Sequence, residues 1–300
     1  MRKLKGVCFV CFFVWWVTGC APGIMQNHQS SLQYQCIMQI IDVDGIPVDK
    51  ATVDYAVNEG GNQIKAATVT TDDDGMVRES FYSTKDALQM RFRVKKKEYY
   101  EKEGQILFSF EEARGEGVTK HVEVTLSRAS DYLDANFSAY FAGSMFSRKI
   151  LEFVDTIVRD NPVPGAYAAT RSIALVSFEN RDYLRVAFAS RLVYNDIFYD
   201  GPKIADKLFH AVVTPALERL IAHFDGKDGF YGYEVTVIGY TSCLCDRSGP
   251  ITAIEYRFFI PVTAARQYCN KDISGPRLLD SSVVLMDGKK ITQKLRQTKN

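Results

Sequence analysis

The sequence lacks the short motifs that accompany most catalytic chemistries. Its 300 residues contain no zinc-protease helix motif, no phosphate-binding loop, no nucleophile elbow and no dinucleotide-binding glycine pattern. The four His residues do not cluster, and His210 and His223 would project from different faces of one helix. These absences disfavour an enzyme, and we expect neither a cofactor nor a bound metal.

Blocks of like charge and long apolar runs are also missing. Lys and Arg number 37 against 36 Asp and Glu, so the formal net charge is +1, and no basic block suits nucleic acid. The one strongly apolar run covers residues 6–17, which is shorter than the ~20 residues that a bilayer-spanning helix needs. We therefore expect no nucleic-acid partner and no spanning helix.

The first twenty residues have the pattern of a secretory signal. Three basic side chains precede the apolar run, and Val17-Thr18-Gly19-Cys20 ends it with small residues before a cut site. This ending resembles the lipobox of bacterial lipoproteins. The resemblance implies that the chain is cut before Cys20, that its thiol takes a diacylglycerol, and that the new amine is acylated, as with palmitate. The alternative is an uncleaved membrane helix with Cys20 as an ordinary thiol.

The lipoprotein resemblance also predicts a location. Residues 1–19 would be the signal peptide and residues 20–32 a lipidated tether. Cleavage of the signal peptide would remove three basic residues and leave a formal charge of −2. Ala21 stands where a retention signal for the inner membrane would usually show Asp. We expect an outer-membrane lipid anchor, a position facing the periplasm or the surface, and an envelope protein or polymer as partner.

Residues 33–128 have the alternating pattern of half-buried strands. Val53, Tyr55 and Val57 would share one face, and Met90 and Phe92 alternate with basic residues. Gly and Asp clusters separate the runs. About seven strands without a convincing helix predict an antiparallel β-sandwich domain over residues 33–128.

A specific resemblance supports this sandwich. Asp44-Gly45-Ile46-Pro47-Val48, followed by Ala51, Val53 and Tyr55 and then by Thr71-Asp72-Asp73-Asp74-Gly75, resembles the carboxypeptidase regulatory-like (transthyretin-like) family. Other Ig-like surface modules share the motif. The resemblance covers about a third of the chain, and it implies a structural or binding role without catalytic residues.

Two charged groups in this domain are candidate sites. Asp42, Asp44, Asp72 and Asp74 could bind Ca²⁺ at one end of the sandwich, although Phe81 stands where an EF-hand loop needs Glu. We favour a role in turns, since Asp bonds its own backbone there. The basic stripe of Arg91, Arg93, Lys95 and Lys97 could meet lipid phosphate, but we favour a solvated strand face that discourages edge pairing.

Residues 129–300 mix helical and strand patterns. The spacing predicts an amphipathic helix over residues 145–159, a buried central strand over 172–178, a strand over 183–194, and a helix over 202–224 that Pro215 must kink or restart. Strands over 233–242 and 253–262 follow, and Asp287-Gly288 predicts a hairpin. The pattern indicates an α+β multidomain chain whose second domain carries two main helices on one sheet face.

Cys243, Cys245 and Cys269 are the disulfide candidates, because an exported chain sits where disulfides persist. We predict one bridge that joins Cys269 to one of the other two, with Cys36 free. The alternative for the three thiols is a soft-metal site.

The residues together favour a non-enzymatic, lipid-anchored envelope protein that works by structure or binding. The alternative is a periplasmic hydrolase, or an envelope-assembly factor, with the sandwich as an accessory domain. A hydrolase would show a concave pocket with convergent polar groups in the α+β domain. A binding module would show a flat or exposed apolar patch there.

Overall fold

A computed structural model describes residues 32–85, 87–109, 117–135, 137, 145–160, 163–224, 229–243, 250–292 and 295. Cys20 of the predicted lipobox, residues 20–31 of the predicted tether and Cys245 lie outside these residues, so what we expect of them stays a prediction. The described chain is rich in β-strands, which form several sheets, and has few helices. None of the described helices combines the length and the apolar character needed to cross a bilayer.

The first unit, residues 32–127, contains seven strands in two sheets. They are β1 (Leu32–Ile41), β2 (Thr52–Glu59), β3 (Asn62–Thr70), β4 (Met76–Ser83), β5 (Ala87–Lys95), β6 (Lys102–Ser109) and β7 (Val118–Thr125). One sheet has the order β4-β1-β7 and the other β3-β2-β5-β6. The expectation of a purely antiparallel sandwich is wrong, because β7 pairs with β1 in parallel. The chain crosses from one sheet to the other between β6 and β7, which brings β7 beside β1 in the same direction. The alternation of apolar residues predicts a strand but not the direction in which it pairs.

The inward faces of both sheets enclose one apolar core. Met38 on β1, Val53 on β2 and Met90 on β5 are all fully buried in it. Phe92 stands opposite Gly104, where an added Cβ would meet the aromatic ring. The glycine therefore lets Phe92 lie flat over β6, an arrangement that compensates for the missing side chain.

The second unit, from residue 129 onward, is built on a single large sheet. Its elements are α1 (Met145–Arg159), β8 (Ala166–Ala168), β9 (Ala174–Phe178), β10 (Arg181–Asn195), α2 (Gly201–Leu208), α3 (Thr214–His223), β11 (Gly232–Ser242), β12 (Thr252–Pro261), α4 (Val262–Cys269), α5 (Gly275–Asp280), β13 (Val283–Met286) and β14 (Lys289–Lys290). The strand order is β14-β13-β12-β11-β10-β8, and β9 also pairs with β10. Only the central pair β10–β11 is parallel among the described pairings of this sheet.

All five described helices contribute to one core on one face of this sheet. The helices α4 and α5 and the short strand β8 were not predicted. The expected central strand over residues 172–178 is wrong in position, because β9 lies at the edge and pairs with β10 alone among the described strands. Its apolar content has another cause, since Val176 and Phe178 pack over the opposite face of the sheet.

The helical run over residues 201–223 bends as Pro215 requires. A π-turn, Phe209–Val213, separates α2 from α3, and Pro215 lies in the first turn of α3. Proline has no N–H to donate to the preceding turn, and the wider π-turn accommodates this gap. Thr214 does not cap α3; its hydroxyl donates to the carbonyl of His210 at 3.1 Å, and Val213 is the N-cap.

Polar and aromatic contacts connect the two units. The hydroxyl of Tyr100, in the first unit, donates to Asp155 of α1 at 2.5 Å. Arg171 of the second unit pairs with Asp44 at 2.7 Å. Tyr100 also contacts Tyr132 edge to face, with ring centroids 6.1 Å apart. The two apolar cores are separate, so these contacts fix how the units meet.

Candidate functional site

One face of the second sheet is packed by helices and the other is not. The helix-packed face carries Leu184, Val235 and Phe258. Side chains that alternate to the opposite side form a smaller cluster made of strand residues only: Tyr183, Phe259 and Leu285, with Val176, Phe178 and Val283 beside them. We call this side of β9–β14 the open face, and no described helix contributes to its cluster.

A buried carboxylate lies at the centre of the open face. Glu234 on β11 is 0% exposed. It accepts hydrogen bonds from Nε of Arg185 at 3.2 Å, from Nε of Arg257 at 2.6 Å and from a terminal nitrogen of Arg257 at 3.1 Å. The hydroxyl of Thr236 donates to it at 2.9 Å. A buried charge is costly unless it is paired and hydrogen-bonded, and here both conditions hold.

Strand register brings this cluster together. Arg185 on β10 stands directly opposite Glu234 in the parallel pair, and Arg257 on β12 stands opposite Thr236, two residues further along β11. The two guanidinium groups therefore approach one carboxylate from both neighbouring strands. The hydrogen bond to Glu234 raises the pKa of Arg257 above its ordinary value. The cluster holds two cations and one anion, so it carries a net positive charge.

Aromatic side chains adjoin the arginine pair. The rings of Phe178 and Phe259 stack with centroids 3.9 Å apart, and Tyr183 meets Phe259 edge to face at 5.3 Å. The guanidinium of Arg257 lies 5.1 Å from the centroid of the Phe259 ring. Further out, Arg181 lies 4.1 Å from the Tyr231 ring. Arginine over aromatic rings is a combination that protein interfaces favour.

The rest of the open face is small or positive. Ala174 and Ala187 flank Arg185 and Thr236 in the sheet register, so little side-chain bulk stands beside the arginines on that side. The charged strand residues on this face include Arg181, Arg185, Arg257 and Lys290 against Glu234 and Glu255. The described strands therefore present a cationic surface.

Exposed apolar side chains lie at the end of the sheet where β10 and β11 finish. Ile197, Phe198 and Ile251 are 61%, 69% and 62% exposed. The turn that carries the first two is ordered by the N–H of Ile197, which donates to the side chain of Asn195 at 2.9 Å. Asn195 pairs with Ser242 at the end of β11, near the start of β12. Adjacent exposed apolar residues of this kind suit contact with another surface.

Two of the Ca²⁺ candidates, Asp42 and Asp72, make the turn contacts that the sequence favoured for them. One carboxylate oxygen of Asp42 accepts from the N–H groups of Asp44 and Ile46, both at 2.9 Å. Asp72 accepts from the N–H groups of Met76 and Asp74, and the bond from Met76 leads the contacts that lower the pKa of Asp72. Among the described residues no group of three or more His, Cys, Asp or Glu could hold a metal ion.

The predicted basic stripe is partly neutralised. Arg93 pairs with Glu103 at 2.5 Å and Lys95 with Asp54 at 2.9 Å. Arg93, Glu103 and Asp54 line a shallow trough of about 880 Å³ on the outer side of the four-stranded sheet. Arg91 also lines the trough and has no ion-pair partner among the described residues. Lys97 lies beyond the end of β5, so the stripe is shorter than predicted.

The cysteines do not pair as predicted. Cys243 is disulfide-bonded, whereas Cys269 is free, so the predicted bridge through Cys269 is wrong. Antiparallel pairing of β11 and β12 sets Pro261 opposite Gly232, and α4 then carries Cys269 from that end of the sheet. Cys243 follows the other end of β11, about 35 Å away along an 11-residue strand.

The two free thiols are shielded. Cys36 is buried in the first core, where burial and then the charge of Glu79 raise its pKa to about 11. Burial raises the pKa of Cys269 as well, with a smaller contribution from Glu218. These two residues line a concavity of about 330 Å³. A nucleophilic cysteine needs a lowered pKa, and here the pKa is raised.

Comparison with known proteins gives weak similarities only. No protein-family model matches the chain, and no curated protein matches it. Among solved structures, 3-chlorocatechol 1,2-dioxygenase from Rhodococcus opacus 1CP is 9% identical with a TM-score of 0.28, over 35% of this chain and 63% of that enzyme. The chain thus spans less than two thirds of that enzyme.

Two further solved structures show similarity of the same weak kind. The Bacillus anthracis TIE protein is 15% identical with a TM-score of 0.27, over 32% of this chain and 17% of that one. BcpA, the major pilin subunit of Bacillus cereus, is 14% identical with a TM-score of 0.24, over 31% of this chain and 28% of that one. These scores identify no family.

Sequence reasoning missed the cluster of Arg185, Glu234 and Arg257. Its three strands were predicted, but nothing in the local pattern says which strands are neighbours. One signal was present, since Glu234 is the only charged residue of β11, whose other residues are apolar or neutral. A charge within a strand of that kind requires a cationic partner on an adjoining strand.

Proposed function

We propose that this chain is a non-enzymatic, lipid-anchored protein of the bacterial outer membrane that binds another envelope component through the open face of its second unit. The first unit, as an Ig-like or transthyretin-like sandwich of the carboxypeptidase regulatory-like kind, serves as the stalk. Acylated Cys20 holds the chain to the membrane, and no cofactor takes part.

The open face is the observation that carries this proposal. It presents two arginines held by a buried carboxylate, the partly exposed ring of Phe178 over the buried Phe259, and a net positive charge. Arginine and aromatic residues are enriched where protein interfaces derive most of their energy. The exposed Ile197, Phe198 and Ile251 at the sheet end add apolar contact area. The raised pKa of Cys269 gives no support to cysteine-based hydrolysis beside Glu218.

Membrane anchoring is tested by Cys20→Ala. We expect the variant to stay as the uncleaved precursor and to incorporate no radiolabelled palmitate, because the thiol that receives the lipid is gone. Cys36→Ala is the matched control and should be processed normally, since that thiol is buried in the first unit. Processing and palmitate labelling of Cys20→Ala at the level of the natural chain would contradict the proposal.

Binding through the open face is tested in the same cells by site-specific photocrosslinking. A crosslinker at Ala187, which follows Arg185 on the same face of β10 and stands opposite Thr236, should join the chain to an envelope component. A crosslinker at Thr68, on the outer side of the four-stranded sheet of the first unit, should not. Equal labelling from both positions, or none from Ala187, would refute the assignment of this face.

A further inference from the structure

The arginine pair on the open face has hydrogen-bonding capacity that the protein does not use. A guanidinium group carries five N–H donors. Arg185 gives only its Nε–H to Glu234, and Arg257 gives its Nε–H and one terminal group. Among the described residues no other acceptor contacts either guanidinium. Both terminal NH₂ groups of Arg185 and one of Arg257 are thus available to a ligand.

The orientation of these donors is fixed by groups beneath them. Glu234 is wholly buried and is held in turn by Thr236, so the carboxylate cannot swing away from the arginines. The guanidinium of Arg257 also lies against the ring of Phe259. Side chains that are already ordered lose less entropy when they bind, which favours affinity. A buried ion cluster of this kind seldom stabilises a fold more than apolar packing would. Stability alone therefore does not account for the cluster, whereas the orientation of the arginine donors does.

The ligand must be anionic and must suit a surface rather than a cleft. Cations outnumber carboxylates among the charged strand residues of the open face. The concavities described above lie elsewhere: one is on the outer side of the four-stranded sheet of the first unit, and the other is beside Cys269. Small molecules are usually bound in concave pockets, whereas a flat surface of arginine and aromatic residues suits a protein partner.

We propose that the open face binds an acidic segment of a partner protein, and that Arg185 and Arg257 each receive a carboxylate of that segment. This inference rests on the proposed function, which makes the open face the binding surface. Planar guanidinium groups match carboxylates through paired N–H···O bonds, which a lysine cannot reproduce. The partly exposed ring of Phe178, which stacks on the buried Phe259, would pack against the apolar side chains between those carboxylates.

The test uses the full mature chain in nonionic detergent and fluorescein-labelled decaglutamate as the probe. Binding is followed by fluorescence anisotropy. Arg185→Gln should weaken binding about tenfold, because it removes a charged donor group. Arg185→Lys should weaken binding as well, since lysine keeps the positive charge but lacks the planar guanidinium that donates paired N–H···O bonds. The matched control is Arg91→Gln, an exposed arginine on the first unit, which should leave the affinity unchanged within about twofold.

Folding is checked separately. Arg185→Gln leaves Arg257 and Thr236 bonded to Glu234, so its circular dichroism spectrum should match that of the natural chain. Equal affinity of Arg185→Gln and the natural chain for decaglutamate would overturn the inference. Tight binding of polyphosphate together with no binding of decaglutamate would overturn it too, in favour of a phosphate polymer. Either failure leaves the proposed function standing if the Ala187 crosslink and the palmitate labelling of Cys20 are observed.

Discussion

Removing Arg257 should destabilise the second unit more than its partly exposed position would suggest. In Arg257→Met the buried Glu234 keeps only Arg185 and Thr236 as partners. Breaking a buried ion pair by deleting one partner costs about 3–5 kcal/mol. Because Arg185 remains, we expect the lower end, about 3 kcal/mol, which lowers the Tm of a unit of this size by about 6–12 °C.

The assay is thermal and urea unfolding followed by far-UV circular dichroism. Circular dichroism is preferred because both Trp residues, Trp15 and Trp16, fall in the predicted signal peptide. The matched control is Arg93→Met, which breaks a pair with Glu103 that is exposed on both sides. Exposed pairs contribute about 0–1 kcal/mol, so this control should barely change the transition of the first unit.

A double-mutant cycle decides whether the two residues act together. Glu234→Gln keeps the shape and the acceptor but removes the buried charge. In the Glu234→Gln/Arg257→Met double variant the loss should be smaller than the sum of the single losses by about 2 kcal/mol. Additivity within about 0.5 kcal/mol would refute the reasoning, because residues without interaction behave in that way.

Two further predictions concern the first unit and the thiols. The native protein is treated with iodoacetamide at pH 8, and the labelled cysteines are identified by peptide mass spectrometry. Cys269 should be labelled slowly and Cys36 only after unfolding, because Cys36 is buried and its pKa is raised to about 11. Rapid labelling of Cys36 in the native protein would contradict its burial. The pKa of Asp72 is lowered in the fold, so its contribution to stability is present above its ordinary pKa and is lost as the pH falls through the lower folded value. The Tm difference between Asp72→Asn and the natural chain should therefore shrink between about pH 5 and pH 2, and a difference that stays constant would refute it.

Local structure in this chain could be predicted where one short pattern decides it. The alternation along residues 89–95 matches β5, and Asp287-Gly288 forms the hairpin turn of β13 and β14 with positive φ at both residues. Pro215 does interrupt the long helical run. These features depend on residues close together in sequence, so the residue types in a short window are enough to predict them.

Long-range arrangement could not be predicted in the same way. The parallel pairing of β1 with β7, the edge position of β9 and the wide separation of Cys243 from Cys269 all follow from strand order. Strand order depends on how whole faces pack, which no local window contains. The cluster of Arg185, Glu234 and Arg257 was missed for this reason, since its residues lie on three strands that meet only in the folded sheet.

The parallel pairing of β1 and β7 has a mechanical consequence. The chain enters the first unit at Leu32 and leaves it after Thr125, and the register from Tyr34 with Val118 to Ile41 with Thr125 places entry and exit at opposite ends of the strands. Force applied between a fixed N-terminus and the second unit would thus load this ladder in shear. All of its hydrogen bonds would have to break together, whereas strands pulled from the same end unzip one bond at a time. A protein that is tethered at one end and holds a partner at the other gains resistance to extension from this topology.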